Sequence, residues 1–504
     1  MKEESKKIKL FKDILVLAVI AIVAISAIFT KPISNLDEIW NFNFSRNVTD
    51  GLIPYKDFNI VQMPLLAIIC GIVFKVFGTE LIIMRCMAVI LMCLIFFMSY
   101  KVLKKLLPTN VTLFVFAIFL SLYKNVMCID YNYAVLLIAL ILLFIELKNV
   151  KEDTFKYSFR YNFILGIVAG IAILFKQTTG IAVAMACVGY KIFEIRKKEE
   201  IQEFLKIAFT RLLGVIIPVI CFVVYLSANG AVLDFINYSI LGIKTFSNKI
   251  SYSSLLESGK ISYLATIVPV ALVMMFVLLF KKNTKRELYV LFAYAISTFI
   301  VAFPISDEIH FLIGSMISFI AISYMIYECV MENFEPESSA RLKKMTYIII
   351  NFASIFFILV LLWNSLLEIE YKYVLVEKET ELQHFKNIPE DNDLKEYIKE
   401  VDEYILQEQS NGKKVYILDA SAAIYYIPIN QYNKDYDMFL KGNLGGNGED
   451  GIIDRINNEK NAIYLLKKSG LNWQNPNKVR EYIINNLNSN GDILYFWIFN
   501  AEVE

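Results

Sequence analysis

Apolar residues along this chain fall in long unbroken runs, not in the alternating or three-to-four spacings of a soluble domain, and the runs have about the length that crosses a bilayer. The first covers about 13–30. Later ones cover about 80–100, 109–127, 131–147, 160–176, 178–194, 207–228, 262–280, 287–304, 309–330 and 345–367. They predict a polytopic α-helical membrane protein with about eleven transmembrane helices. A further stretch at 64–78 is apolar but short, and it ends at Phe77-Gly78, which predicts an interfacial or re-entrant helix. From about 370 onward the pattern becomes that of a soluble module. Lys413–Asp419 and Asp492–Phe499 read as strands, Pro476–Leu487 as a helix opened by proline, and Asn443–Gly451 as a glycine-rich loop. The expected division is a membrane domain over 1–369, with a first outer loop at 31–79, and an extracytoplasmic α/β domain over 370–504.

Charge orients the runs. Lys2, Lys6, Lys7, Lys9 and Lys12 precede the first run as they would in a signal peptide, but no small-residue cleavage site follows, so the run reads as a start-transfer span with its N-terminus in the cytoplasm. Lys and Arg in the connections then favour the cytoplasmic side by roughly three to one. Had 64–78 crossed, every later connection would be inverted and the bias lost. The C-terminal module accordingly falls outside the cytoplasm.

Composition narrows the function. The chain is 57% hydrophobic with a formal net charge of +1, and no clustered basic face appears, which excludes nucleic acid as a partner. Seven cysteines lie in or beside apolar runs with no CxxC spacing and read as packing residues; two histidines exclude a histidine-rich metal site. Asn43-Phe-Ser and Asn47-Val-Thr match the glycosylation sequon and read as chance.

Polar residues at the outer ends of the spans carry the candidate chemistry. They are Asp37 and Glu38 in Asn35-Leu-Asp-Glu-Ile-Trp40, Asp130 in Cys128-Ile-Asp-Tyr-Asn-Tyr133, Lys176 in Phe175-Lys-Gln-Thr-Thr-Gly180, and Asp307, Glu308 and His310 in Pro304-Ile-Ser-Asp-Glu-Ile-His310. Ionisable groups at membrane depth are costly and tend to line a functional cavity. A carboxylate that takes a proton from a hydroxyl, with cations that hold a phosphate leaving group, suits group transfer from a lipid phosphate to an alcohol. Asp37 is the expected base and Lys176 a phosphate ligand. Trp40, Tyr55, Tyr131 and Tyr133 are candidate stacking surfaces for a sugar, or members of the interfacial aromatic belt. Asp37, Glu38 and Asp130 also offer oxygen ligands for a divalent cation.

Asp37-Glu38, then Gly51-x-x-Pro54-Tyr55-x-Asp57-Phe58, Pro64-Leu65, Phe77-Gly78 and Arg85 resemble the first outer loop of the type C (GT-C) membrane glycosyltransferases, closest to the protein O-mannosyltransferase and aminoarabinose transferase branch. Lys176-Gln-Thr-Thr-Gly180 resembles the lysine-containing turn of the same group, in which an outer C-terminal domain is usual. The resemblance implies the GT-C fold and a polyprenyl-phosphate-linked sugar donor. It implies that Asp37 is the catalytic acid/base residue, that Glu38 supports it, and that Lys176 and Arg85 meet the donor phosphate. His310 stands where an Arg-Tyr pair is common in the family, and its expected role is to hold the lipid phosphate. The implied activity is sugar transfer to a hydroxyl of a lipid, cell-wall polymer or protein at the outer face of the cytoplasmic membrane. The rival reading is a transporter or lipid-linked sugar flippase, against which the charges gather at span ends and no paired broken helices appear in corresponding halves.

Overall fold

The computed structural model describes residues 6–33, 36–152, 158–195, 198–245, 250–257, 259–281, 284–332, 340–470 and 474–501. Asn35 of the first outer loop lies outside them. In chain order the helices are α1 (Lys6–Phe29), α2 (Leu36–Thr49), α3 (Leu65–Phe77), α4 (Leu81–Leu106), α5 (Thr109–Tyr123), α6 (Tyr131–Glu152), α7 (Phe159–Phe175), α8 (Gln177–Gly189) and α9 (Lys198–Ala228). They continue with α10 (Val232–Phe235), α11 (Ser253–Glu257), α12 (Ser262–Leu279), α13 (Arg286–Phe299), α14 (Glu308–Glu332), α15 (Ala340–Ile369), α16 (Asn392–Ser410), α17 (Ala423–Tyr426), α18 (Gly448–Asn458) and α19 (Asn477–Asn486). Four strands follow the same order: β1 (Lys414–Leu418), β2 (Ala462–Lys467), β3 (Asn488–Ile493) and β4 (Phe496–Ala501). Every predicted apolar run is helical. Eight helices among the described residues are long and apolar enough to cross a membrane, while α7, α8 and α13, at 17, 13 and 14 residues, are shorter.

The chain divides into two compact units. One comprises Met1–Thr30, Cys86–Cys221 and Ile250–Val374; the other comprises Lys31–Arg85, Phe222–Lys249 and Leu375–Glu504. The segments 31–85 and 222–249 therefore cluster with the C-terminal part, not with the membrane spans that flank them.

In the first unit α7 and α8 form a tight hairpin. A Cβ on Gly180 would lie 2.4 Å from the Ala172 carbonyl oxygen, so the hairpin closes only with glycine there. The membrane-length window of α15 is 6% buried, which leaves a broad apolar face suited to lipid contact. Cysteines follow the same logic: Cys70 and Cys187 are buried, but Cys86, Cys221 and Cys329 are exposed, so packing describes only part of the set.

Between the spans of this unit lies an ionic cluster that periodicity does not reveal. Arg211 of α9 pairs with Glu146 of α6 at 2.6 Å, both side chains fully buried. Arg211 also donates to Asn162 Oδ1 at 2.9 Å and to the Cys187 carbonyl at 2.6 Å, and the Tyr190 hydroxyl donates to the second Glu146 oxygen at 2.8 Å. Charge is thus buried between spans, at the end of 131–147 and the start of 207–228, as well as present at their outer ends. A buried ion survives only when paired and hydrogen-bonded.

The second unit is built around a sheet of order β1-β2-β4-β3, with β1 parallel to β2 and the other pairs antiparallel. Its core packs Tyr464, Phe499 and Leu466 against Ile452 and Ile456 of α18 and Val479 and Ile483 of α19. The expected single strand at 492–499 is instead a hairpin that turns at Leu494, whose φ is +49°. The glycine-rich 443–451 segment passes into α18 at Gly448. Helices α2 and α3 belong to this unit and pack closely, since a Cβ on Gly71 would fall 2.9 Å from Val48 Cγ1. Three side chains of α2 reach the C-terminal part: the Trp40 indole donates to the Ala420 carbonyl at 2.7 Å, Asn43 to Asp437 at 3.0 Å, and Arg46 to the Ile427 carbonyl at 3.1 Å. Burial pushes the Asp437 carboxyl up to about 6, opposed by Asn43 and by the nearby Arg46 charge. The segment after α9 is tied in by Ser239, which donates to the Val61 carbonyl at 2.9 Å, and by Asn237, which accepts from the Gly446 amide at 2.8 Å.

Arg211→Met should destabilise the first unit by about 3–5 kcal/mol, because Glu146 is left charged and unpaired, whereas Arg211→Met with Glu146→Leu should recover most of that loss. Thermal unfolding of the purified protein in detergent checks both.

Candidate functional site

Two groups of the expected residues are assembled, one in each unit. In the second unit, Asp37 and Glu38 do not lie in a loop; they form the first turn of α2. The positive end of the helix dipole favours acidic residues there, and the turn begins soon after Pro32. The two carboxylates have different fates. Glu38 is buried against Arg85, taking Nε at 2.9 Å and Nη2 at 2.8 Å in a bidentate pair. Arg85 is 1% exposed and also donates to the carbonyls of Lys31 at 2.5 Å and Pro32 at 3.2 Å. Its task is to hold the first turn of α2 in place, which differs from the expected contact with phosphate. Asp37 is half-buried, and its carbonyl accepts from the Asn41 side chain at 2.8 Å.

The aromatic candidates of this unit are structural. Trp40 is buried and bonded to Ala420. Tyr55 is wholly buried at φ +71° in the turn Pro54–Phe58; its hydroxyl donates to the Gln62 carbonyl at 2.8 Å and its ring meets Phe235 edge-on at 5.1 Å. Neither ring is free to stack on a sugar. Asn43 and Asn47 are buried inside α2, so neither sequon is available for glycosylation.

In the first unit, three outer connections converge. Asp130 caps α6, its Oδ1 accepting from the Asn132 amide at 2.6 Å. Lys176 separates α7 from α8 and donates to Asn132 Oδ1 at 2.8 Å, with its ammonium 5.2 Å above the Tyr131 ring. Asp307 precedes α14 and accepts from the His310 amide at 2.8 Å, while His310 Nδ1 lies 2.8 Å from the same oxygen. Burial holds the Asp130 carboxyl above its usual range, opposed by the charges of Lys176 and then His310. For Asp307 burial, the largest single effect, pushes upward, but the side-chain hydrogen bond and charge of His310 together with the backbone hydrogen bonds from His310 and Ile309 outweigh it, and the carboxyl lies below its usual range. Tyr133 is wholly buried and donates to the Val126 carbonyl at 3.1 Å.

Asp130, Lys176 and His310 thus form one cluster, at the N-terminal ends of α6, α8 and α14. Backbone N–H groups and helix dipoles favour an anion there, and Lys176 adds a full positive charge. The arrangement suits a phosphate. Asn132 and Asp307 complete the cluster; Asp307 is among the candidates at the span ends, whereas Asn132, two residues after the capping Asp130, is the member the sequence reading does not single out. Among the described residues no group of three His, Cys, Asp or Glu side chains gathers as metal ligands, and both Glu38 oxygens are turned on Arg85, so Glu38 is not available as the oxygen ligand that the sequence offered for a divalent cation.

Comparison with known proteins agrees with this architecture. Residues 61–225 match the family model described as dolichyl-phosphate-mannose-protein mannosyltransferase. The matched stretch includes Arg85, Asp130 and Lys176 and begins beyond Asp37. The crystal structure of ArnT from Cupriavidus metallidurans bound to undecaprenyl phosphate superposes with a TM-score of 0.56 at 13% identity, covering 96% of this chain and 97% of that one. The same protein in the apo state gives 0.56 at 10% identity with the same coverage. The chain has the GT-C fold. The Archaeoglobus fulgidus oligosaccharyltransferase is similar at a TM-score of 0.45 and 10% identity, over 82% of this chain and 61% of that one. No curated protein sequence matches.

Within this GT-C fold the Glu38–Arg85 pair should behave as a structural clamp. Arg85→Leu should lower stability by about 3–5 kcal/mol, since Glu38 would remain buried without a partner. Arg85→Lys should restore little, because an ammonium cannot reproduce the bidentate fork. Thermal unfolding of the three proteins in one detergent checks the order.

Proposed function

We propose that this protein is a membrane glycosyltransferase that moves a sugar from a polyprenyl-phosphate donor to a hydroxyl acceptor in the cell envelope, at the outer face of the cytoplasmic membrane with its N-terminus inside. The observation that carries this reading is the cluster of Lys176, Asp130 and His310 at three helix N-termini in a GT-C fold, an arrangement suited to a phosphate. ArnT, whose fold it shares, is described bound to undecaprenyl phosphate, a ligand of the same class as the proposed donor.

The proposed step is a displacement at the anomeric carbon. The Asp37 carboxylate accepts the proton of the acceptor hydroxyl as its oxygen forms a bond to that carbon. The bond from the anomeric carbon to the phosphate oxygen breaks, and its electron pair leaves with the polyprenyl phosphate. Lys176, aided by the helix dipoles, steadies the charge that develops on the phosphate. Phosphate is a good leaving group, so no separate general acid is needed. Asp37 finishes the step protonated.

Transfer of radiolabelled sugar from polyprenyl-phosphate donors to a membrane extract tests the reading in purified wild type, Asp37→Asn and Lys176→Gln. Asp37→Asn should lower the rate by about 10²-fold or more with the fold intact, the usual worth of a positioned base. Lys176→Gln should weaken binding of polyprenyl phosphate about tenfold, the loss of one charge-assisted hydrogen bond. Full activity in Asp37→Asn would refute the assigned base.

A further inference from the structure

Beside the first turn of α2, within the second unit, is a cavity of about 400 Å³ that the proposed chemistry has not used. Leu36 and Ile39 of α2, Asp393 and Tyr397 of α16, and Ser421 and Tyr425 line it. Asp37 follows Leu36 directly in the first turn of α2, its side chain about 100° round the helix from that of Leu36. A group seated here lies beside the turn that carries Asp37.

We propose that this cavity receives the hydroxyl-bearing headgroup of the acceptor, a neutral sugar or polyol unit, which deepens the glycosyltransferase reading and rests on it. The lining is mixed in the way such a ligand requires. Aliphatic side chains and tyrosine rings offer surface to the C–H faces of a sugar, while carboxylates and a serine hydroxyl accept from its O–H groups. The charges are acidic: Asp391 and Asp393 both line the cavity, and no lysine or arginine does. A phosphate would be repelled, which separates this site from the electropositive cluster at Lys176 and assigns it to the acceptor. Its volume lies at the lower end of the usual range for small-ligand sites, enough for a headgroup and too little for a folded partner.

The walls are held in position before any ligand arrives. Trp40 ties α2 to the Ala420 carbonyl at 2.7 Å. Ser421 donates to Asp419, which Lys467 holds at 3.0 Å. The rings of Tyr397 and Tyr425 are set edge-on against Tyr495 at 5.1 Å and Phe496 at 5.6 Å. Rigid walls of this kind limit the ordering cost of binding.

The test uses full-length protein in phosphatidylglycerol nanodiscs, with neutral methyl hexosides and a hexose 1-phosphate as probes and ligand-observed NMR as readout. The neutral hexosides should bind saturably and the hexose phosphate at least tenfold more weakly. Tyr397→Ala should weaken hexoside binding about tenfold, and Asp393→Lys should abolish the discrimination against the phosphate probe. Asp393→Asn, which preserves shape, should reduce that discrimination in part. None of the three variants should change polyprenyl phosphate binding. Saturable hexoside binding that is unaltered in every variant, or no binding in wild type, would overturn the proposal. If wild type binds hexosides with this pattern but transfers no sugar, the glycosyltransferase reading fails and the cavity stands. If it transfers sugar with an acceptor KM unchanged in Tyr397→Ala, the cavity fails and the glycosyltransferase reading stands.

Discussion

Glu38 and Arg85 face each other out of water, and the geometry around them follows from the expense of leaving either alone. Every polar atom of the Arg85 guanidinium is directed at a carboxylate oxygen or at the carbonyls of Lys31 and Pro32. One side chain therefore joins the chain leaving α1, the first turn of α2 and the start of α4. Asp37 precedes Glu38 directly, so the pair that fixes Glu38 also fixes Asp37 while leaving it half-exposed. A carboxylate on a free loop would sample many positions; this one rises from a clamped helical turn, which is what a positioned base requires.

The same economy of charge separates the two chemistries of sugar transfer. In the first unit, helices α6, α8 and α14 bring their N-terminal ends to Lys176, and backbone dipoles supply much of the attraction for a phosphate. In the second unit, the cavity beside α2 carries carboxylates and tyrosines, which accept hydrogen bonds from hydroxyls and repel phosphate. In the proposed reaction donor and acceptor chemistry are divided by sign, each region carrying the polarity that disfavours the other's ligand.

Buried ions recur away from these regions. Glu146 and Arg211 bridge α6 and α9 inside the first unit, with Asn162, Tyr190 and the Cys187 carbonyl adding hydrogen bonds to the pair. Such a pair adds little net stability over a well-packed apolar core, yet it tolerates few alternative pairings. Between spans whose apolar surfaces are otherwise alike, it distinguishes one register from another.

Much of this was legible in one dimension. The apolar runs are helices because bilayer thickness and backbone hydrogen bonding impose a length and a composition that any reader of the chain can see. Asp37, Asp130, Lys176 and His310 stood out because polar residues at the ends of such runs are few. The likeness to GT-C enzymes rested on local motifs of the first outer loop and the lysine turn. What remained hidden depends on partners remote in the chain. Arg85 looked like a phosphate ligand until Glu38 and two carbonyls took its donors; Trp40 looked like a stacking surface until its indole met Ala420, 380 positions away. Asp492–Phe499 has the composition of one strand, but Asp492 and Ile493 pair with Trp497 and Phe496 across a turn at Leu494. Sequence alone determined which segments are helical spans and which residues are chemically available, because those properties belong to single residues and their neighbours. Tertiary structure alone decided which of the available groups are committed to holding the fold, because burial and hydrogen-bond partnership belong to pairs that only folding brings together.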